Sequence, residues 1–132
     1  MEAAMLAAAD PIAFIPTRDA DRARSFYETT LGLHFVSDDG FALNFQIGKR
    51  AGSIRLRIVR VGDFSAQIFT IFGWDVPDVE VAVADLTSRG VTFVRIQGMN
   101  QSTSGVWTVP GGTAKVAWFK DPDGNTLSVS QH

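Results

Sequence analysis

The side chains that most often perform chemistry in proteins are scarce in this chain. Its 132 residues include no cysteine and only two histidines, His34 and His132. The lack of thiols excludes a cysteine nucleophile, a thiolate zinc site, an iron–sulfur cluster and a disulfide framework. Two imidazoles from one chain cannot build a metal site made mainly of histidine. Any binding or catalysis therefore has few reactive side chains to work with.

Two arginines, Arg55 and Arg57, have the most informative spacing among the charged residues. Alternate residues of a strand point to the same side of a sheet, so a strand through this segment places both guanidinium groups on one face. Arginine binds anionic and carbonyl groups through directed hydrogen bonds, which predicts the polar end of a ligand site. The alternative is that both arginines are solvated strand residues that protect a sheet from edge-to-edge pairing.

The other titratable groups give weaker signals. Asp75 and Gln67 are the nearest further candidates, and Asp75 is interpreted as a solvated carboxylate at the rim of a strand end. His34 is interpreted as a partly exposed strand residue and His132 as a mobile chain end. The remaining carboxylates are assigned to local capping and solubility: Asp19, Asp21, Glu28, Asp38, Asp39, Asp78, Glu80, Asp85, Asp121 and Asp123.

Composition indicates one globular domain without a nucleic-acid or membrane partner. Hydrophobic residues make up 45% of the chain, charged residues 20%, and the net charge is −2. A nucleic-acid surface needs a basic stripe, and a bilayer span needs ~20 consecutive apolar residues; neither pattern is present. The Ala-rich segment 1–10 is predicted to be a short helix rather than a secretion signal, because Glu2 stands where a signal is basic. The expected compartment is the cytoplasm.

The elements that must position the polar groups follow one order twice. A strand, a helix ending before Gly32 and three further strands are predicted at residues 12–16, 19–31, 33–37, 41–47 and 53–61. The same order is predicted at residues 69–76, 78–90, 91–96, 115–120 and 126–130. Units of about 60 residues have marginal cores alone, so one domain (11–132) is expected, with modules at about 12–61 and 69–131.

The stretch 97–112 has no strong periodicity, and two interpretations stay open. Its glycines and its large apolar residues, Met99 and Trp107, are typical of a lid over an apolar ligand or a partner subunit. Alternatively, residues 106–109 form another strand whose tryptophan packs on the core.

Strand parity divides each predicted sheet into a helix-packed face and a free face. The helix-packed side is assigned the apolar residues of the alternating strands: Phe41, Leu43, Phe45, Ile47, Ile54, Leu56, Ile58, Leu127 and Val129. The polar residues between them, including both arginines, are left on the free faces. Polar groups beside exposed apolar residues are typical of a ligand cavity.

The opening run from Ile15 to Leu33 and the closing run from Trp118 to Leu127 resemble two signatures of the vicinal oxygen chelate superfamily. That superfamily includes glyoxalase I, extradiol dioxygenases, and the fosfomycin and bleomycin resistance proteins. The resemblance covers about residues 12–131 and implies an α+β fold. In that fold, two βαβββ modules form a curved, cup-shaped mixed sheet with helices on its outer face. It is specific for fold and weak for activity, because the superfamily contains enzymes of several kinds and pure binding proteins.

The resemblance also implies where a metal would be held. In the catalytic branches, His, Gln or Glu side chains from the first and last strands of each module bind a divalent metal. The matching positions here are Ile12, Arg57, Ile71 and Ser128. Isoleucine has no donor atom, arginine is a fixed cation, and a single serine hydroxyl is a poor ligand. No metal site and no cofactor are therefore expected.

The function expected from these features is binding of a small apolar or anionic molecule in the cup, without metal-dependent catalysis. The ligand-binding residues, placed partly by the superfamily register, are predicted to be Ile12, Phe14, Asn44, Gln46, Arg55, Arg57, Phe69, Ile71, Trp107 and Ser128. The alternative is a lyase or dioxygenase-type enzyme with an atypical or metal-free site, such as an isomerase using Arg57 and Asp75. A protein-interaction module is a third class. The resemblance implies a homodimer.

Overall fold

The computed structural model describes residues 5–48 and 53–132. The first module contains β1 (Ile12–Thr17), α1 (Ala20–Arg24), a π-helical turn (Ser25–Thr30), β2 (His34–Asp38), β3 (Ala42–Ile47) and β4 (Ile54–Arg60). The second contains β5 (Thr70–Asp75), α2 (Val79–Ser88), β6 (Trp107–Thr108), β7 (Lys115–Lys120) and β8 (Thr126–Gln131). The N-terminal segment forms a single 3₁₀ turn at Leu6–Ala8, and residues 1–4 of the predicted helix lie outside the described residues.

Each module forms a four-stranded mixed sheet with the same strand order. The orders are β1-β4-β3-β2 and β5-β8-β7-β6. In each sheet the first strand pairs in parallel with the last strand, and the other pairs are antiparallel. The two sheets contact each other through β1 and β5. The predicted α+β fold of two βαβββ modules is confirmed.

Aspartates start both helices, as the sequence predicts. The Asp19 carboxylate accepts a hydrogen bond from the Arg22 backbone N–H (3.2 Å), and Asp78 accepts from the N–H groups of Glu80 and Val81 (3.0 and 3.2 Å). These bonds satisfy donors that a helix leaves unpaired at its first turn. Within the described residues, no helix is long and apolar enough to cross a membrane.

The core lies on the faces that strand parity assigns to it, with one exception. Leu43, Phe45, Leu56 and Ile58 are buried, and so are the corresponding second-module residues Phe119, Leu127 and Val129. Phe41, which was predicted to be buried, is 77% exposed. The Asp39 carboxylate accepts hydrogen bonds from the backbone N–H groups of Phe41 and Ala42 (both 2.9 Å). This turn delays the start of β3 by one residue, and Phe41 therefore lies outside the strand.

The strand predicted at 91–96 is wrong. Only Phe93 forms a bridge there, to Phe119, and β6 takes the edge of β7 instead. The Gln101 side chain is the physical reason: it accepts from the Ile96 N–H (2.7 Å) and donates to the carbonyls of Val94 (3.0 Å) and Gly105 (2.9 Å). Backbone groups that would have paired with β7 are satisfied by this amide. Of the strand predicted as one alternative at 106–109, the structure forms Trp107–Thr108.

The two modules are joined by the turn between β7 and β8. The Tyr27 hydroxyl donates to Asp121 (2.6 Å), and Asn125 Nδ2 donates to the Pro16 carbonyl (3.0 Å). The Thr17 hydroxyl donates to Asp123 Oδ2 (2.6 Å). The assignment of Asp121 and Asp123 to local capping is thus incomplete, because both also bind residues about one hundred positions away. Burial and then the charge of Asp121 raise the pKa of Tyr27 above its ordinary value.

Candidate functional site

The free side of the first sheet, opposite α1, carries two cross-strand rows of side chains, and we call this side the first-sheet face. The first row, named the Arg55 row, contains Ile12, Arg55 and Gln46, which are partners in the β1-β4-β3 register. The second, named the Arg57 row, contains Phe14, Arg57 and Asn44. Both arginines project from a central strand, since β4 lies between β1 and β3. Protection of a sheet edge therefore cannot explain them.

The guanidinium group of Arg57 is anchored by two neighbours. Its Nη1 donates to Asp39 Oδ2 and to Asn44 Oδ1, both at 2.9 Å. Asn44 Nδ2 in turn donates to Asp39 Oδ2 (3.1 Å) and to the Ser37 hydroxyl (3.3 Å). Arg57, Asn44 and Asp39 thus form a closed triangle of hydrogen bonds, which we call the Asp39 cluster. Such a cluster holds the guanidinium plane in one orientation.

Asp39 neutralises the charge of Arg57. Hydrogen bonds from Asn44, from the Ala42 and Phe41 N–H groups and from Arg57 lower the pKa of Asp39 below its ordinary range. The carboxylate therefore stays ionised near neutral pH, with its Oδ2 in contact with the guanidinium group. The assignment of Asp39 to capping was correct for the turn but missed this ion pair.

Arg55 has a different environment from Arg57. Its side chain is exposed, and it forms no hydrogen bond or ion pair with another residue in the part of the chain that the structure describes. In the same row, Gln46 Nε2 donates to the Ser53 hydroxyl, and Ile12 is partly exposed. Among the described residues, Arg55 is therefore a positive charge without a carboxylate partner, and it has an apolar neighbour and an amide neighbour.

A cavity of about 190 Å³ lies over the β3 and β4 residues of these rows. It is lined by Val36, Ser37, Asp39, Asn44, Phe45, Gln46, Arg55 and Arg57. Four of the ten predicted ligand-binding residues line this cavity, and Ile12 and Phe14 stand beside their β4 partners in the same rows. Ser37 and Asp39 were missed. The turn residues Asp38 and Asp39 precede β3 in sequence, but nothing local shows that Asp39 reaches the arginine 18 positions away.

The free side of the second sheet, which we call the second-sheet face, carries aromatic side chains in place of the arginine pair. Its central row, the Ser128 row, contains Gly73, Ser128 and Trp118. Trp118 lies 6.2 Å from the ring of Trp107. A Cβ atom at Gly73 would lie 2.5 Å from the Ser128 hydroxyl oxygen, so only glycine lets β5 lie this close to that side chain.

A second cavity, of about 350 Å³, lies on this face. It is lined by Ile68, Phe69, Thr70, Val94, Ile96, Trp118, Lys120 and Thr126. Of the ten predicted residues, Phe69 lines this second cavity, while Ile71, Trp107 and Ser128 lie elsewhere on β5, β6 and β8. Trp118 was missed, although the alternation of Ala117 and Phe119 toward the core leaves it on the free face. The predicted site is thus distributed over two faces.

A family model describes most of the chain. The model of the Glyoxalase/Bleomycin resistance protein/Dioxygenase superfamily matches residues 8–129. The chain belongs to this superfamily. The match confirms the resemblance inferred from the two signature runs. No curated protein sequence matches the chain.

Solved structures share the fold, and two of the three described next are members of this superfamily. A superfamily member from Sphaerobacter thermophilus is 23% identical, with a TM-score of 0.70, over 97% of this chain and 100% of the other. A member from Alicyclobacillus acidocaldarius is 18% identical, with a TM-score of 0.61, over 95% and 92%. An integron cassette protein from the mobile metagenome of V. cholerae is 17% identical, with a TM-score of 0.64, over 100% and 98%. At these identities the likeness concerns the fold alone.

The residues that the resemblance assigns to the superfamily's metal positions do not fit a divalent metal. Ile12 and Ile71 offer no donor atom, and Arg57 is a cation already paired with Asp39. The remaining position, Ser128, faces Gly73 and supplies one hydroxyl. Among the described residues, no group of three or more His, Asp and Glu side chains is arranged to hold a metal.

The pair proposed for metal-free catalysis is divided between the sheets. Arg57 lies on β4 of the first sheet, and Asp75 is the last residue of β5, opposite Ser130 in the second. His34 is exposed at the start of β2, in agreement with its interpretation as a strand residue.

Proposed function

We propose that this superfamily member binds a small organic molecule with an apolar body and one anionic or carbonyl end, without metal-dependent catalysis. The observation that carries the proposal is the first-sheet face. There, an anchored arginine and an arginine that has no carboxylate partner among the described residues border one cavity, beside exposed apolar residues of β1. Polar groups fix a ligand's orientation, and apolar walls supply most of its binding free energy.

Apolar surface on β1 supplies the driving force for ligand binding. Phe14 is 60% exposed and Ile12 is 45% exposed, although each stands beside an arginine of β4. Covering 100 Å² of such surface contributes about 2.5 kcal/mol. A ligand whose ring or alkyl body lies on these residues places its polar end over β4.

We also propose that the protein is a homodimer in which a second copy deepens the site. The cavity of about 190 Å³ is smaller than typical ligand sites of roughly 300–1,000 Å³. Large apolar side chains are exposed on both sides of the junction between the sheets, with Ile12 and Phe14 on one side and Ile68 and Phe69 on the other. A partner that covers Ile68 and Phe69 would remove them from water and add a wall beside Ile12 and Phe14, which stay available to the ligand.

Native mass spectrometry of the protein as isolated tests these proposals together, with elemental analysis of the same sample. The expected result is a species of twice the chain mass that carries no stoichiometric transition metal and takes up phenylnaphthylamine, a neutral apolar probe. A stoichiometric transition metal would favour the lyase or dioxygenase-type alternative. A monomer would reject the dimer, and failure to take up the probe would reject the apolar site.

A further inference from the structure

The two arginines of the first-sheet face differ in what surrounds their charge. Arg57 contacts the ionised Asp39 carboxylate at 2.9 Å. Asp39 is also the acidic residue among those that line the cavity. Arg55, one row away on the same strand, has no hydrogen bond or ion pair with any residue that the structure describes.

This difference determines how each arginine acts on a charged ligand. An anion placed over Arg57 is attracted by the guanidinium group and repelled by Asp39, and the two Coulomb terms are of similar size because the charges are in contact. The net field of the Asp39 cluster is therefore weak. An anion placed over Arg55 meets an attraction that no neighbouring carboxylate opposes among the described residues.

Arg57 is nevertheless a well-oriented hydrogen-bond donor. Both of its contacts in the Asp39 cluster use Nη1. Nε and Nη2 form one edge of the guanidinium fork, and neither has a partner among the described residues. An oriented donor with its charge compensated suits an uncharged oxygen acceptor, such as a carbonyl or hydroxyl group.

We propose that Arg55 recognises the charge of the ligand and that Arg57 donates a hydrogen bond to an uncharged oxygen of the same molecule. The ligand class is then an amphiphilic monoanion whose apolar body lies on Ile12 and Phe14. The two arginines are two residues apart on one strand, so the anionic group and the neutral acceptor are separated by roughly 7 Å. This assignment rests on the proposed ligand site and specifies how that site selects its ligand.

Two fluorescent probes with the same aromatic skeleton separate charge recognition from apolar binding. Anilinonaphthalene sulfonate carries one negative charge, and phenylnaphthylamine lacks the sulfonate. The ratio of their dissociation constants therefore reports the charge term at the site. Both probes are titrated into wild type, Arg55→Met, and a double variant that combines Asp39→Asn with Arg57→Met. The double variant removes the ion pair without changing the net charge.

Arg55→Met is expected to weaken sulfonate binding about tenfold while phenylnaphthylamine binding changes less than about twofold. The double variant is expected to change the ratio less than about twofold. Asp39→Asn alone leaves Arg57 uncompensated and is expected to tighten sulfonate binding about threefold. Asparagine retains the side-chain oxygen that accepts from the Phe41 and Ala42 N–H groups, so the turn is kept.

Arg22→Met is the matched control, because Arg22 is an exposed arginine of α1, away from the first-sheet face. It is expected to leave both probes unaffected. An unchanged ratio in Arg55→Met, or an equal loss in the double variant and in Arg55→Met, would overturn the assignment while leaving the apolar site standing. Failure of wild type to bind phenylnaphthylamine would overturn the proposed function and this assignment with it.

Discussion

The Arg57 row and the Ser128 row occupy corresponding places in the two modules but have opposite chemistry. Arg57 on the last strand of the first module is flanked by Phe14 and Asn44. Ser128 on the last strand of the second is flanked by Gly73 and Trp118. One row is a charged cluster and the other is a close-packed apolar layer with one hydroxyl.

The opposite faces of the same strands remain alike. Leu56 and Leu127 are both buried next to these rows, and so are Phe45 and Phe119 on the neighbouring strands. The core faces are constrained because each must fill the space under a helix at high density. The free faces do not pack under a helix, so their side chains are able to differ while the strand order stays the same.

Substitution of Gly73, in the Ser128 row, should cause the largest loss of folding stability. In Gly73→Ala the new methyl group would lie 2.5 Å from the Ser128 hydroxyl and 2.9 Å from its carbonyl oxygen, so the β5–β8 pair must shift. The expected loss is about 2–3 kcal/mol in the free energy of unfolding, measured by urea denaturation. Phe14→Ala, at the corresponding place in the Arg57 row, removes a side chain that is mostly exposed and should cost less than about 1 kcal/mol. Equal losses at the two positions would contradict the contrast between the rows.

The link between the modules gives the next largest effect. Tyr27→Phe removes the hydroxyl that donates to Asp121 and leaves that carboxylate with Asn125 and two backbone N–H donors. The expected loss is about 1–2 kcal/mol, measured by urea denaturation at neutral pH.

Alkaline pH tests the same link. Because the pKa of Tyr27 is raised in the folded protein, an unfolded tyrosine ionises first, and stability should fall as the pH rises above about 10. Tyr27→Phe should lose less stability than wild type in that range. A parallel decline in the two proteins would show that the pKa of Tyr27 is not raised in the folded protein.

Acid should weaken the ion pairs of the first-sheet face, and this should cause the smallest loss of folding stability. Hydrogen bonds lower the pKa of Asp39 and, mainly through Arg60, lower the pKa of Asp38 to about 2. Their contribution is present above the unfolded value of about 4 and is lost as the pH falls from about 4 toward 2. Asp39→Asn should therefore show a shallower decline in unfolding free energy than wild type over this range. Both carboxylates are exposed to solvent, so the difference is expected to be modest. A decline as steep as that of wild type would contradict the ionised Asp39 cluster.

Local patterns in the sequence were sufficient to predict which side of most strands faces the core. The alternation of Ile54, Leu56 and Ile58 with the two arginines specifies both sides of β4, because a side-chain period of two leaves no other register. The same rule failed at Phe41, where a side chain in the preceding turn binds the backbone. It also failed at 91–96, where Gln101 replaces strand pairing.

Contacts between distant residues could not be predicted. Asp39 and Asp121 both occupy turns, and their local role was clear from their positions. Their partners, Arg57 and Tyr27, are 18 and 94 residues away, and only the folded chain brings them together. The sequence therefore predicted several residues that line the candidate site. It did not predict that, among the described residues, a carboxylate neutralises Arg57 and not Arg55, which only the structure shows.

The loop closed by Gln101 has a consequence for how this chain tolerates change in length. Phe93 pairs with Phe119 and Trp107 pairs with Val116, so the chain leaves the edge of β7 and returns to it. One amide side chain satisfies the backbone at both ends of the excursion. We therefore expect a change of length within the excursion to leave the strand register of both sheets unaltered. The segment is therefore a natural place for insertions, and a position where a foreign loop can be grafted while the paired modules keep their packing.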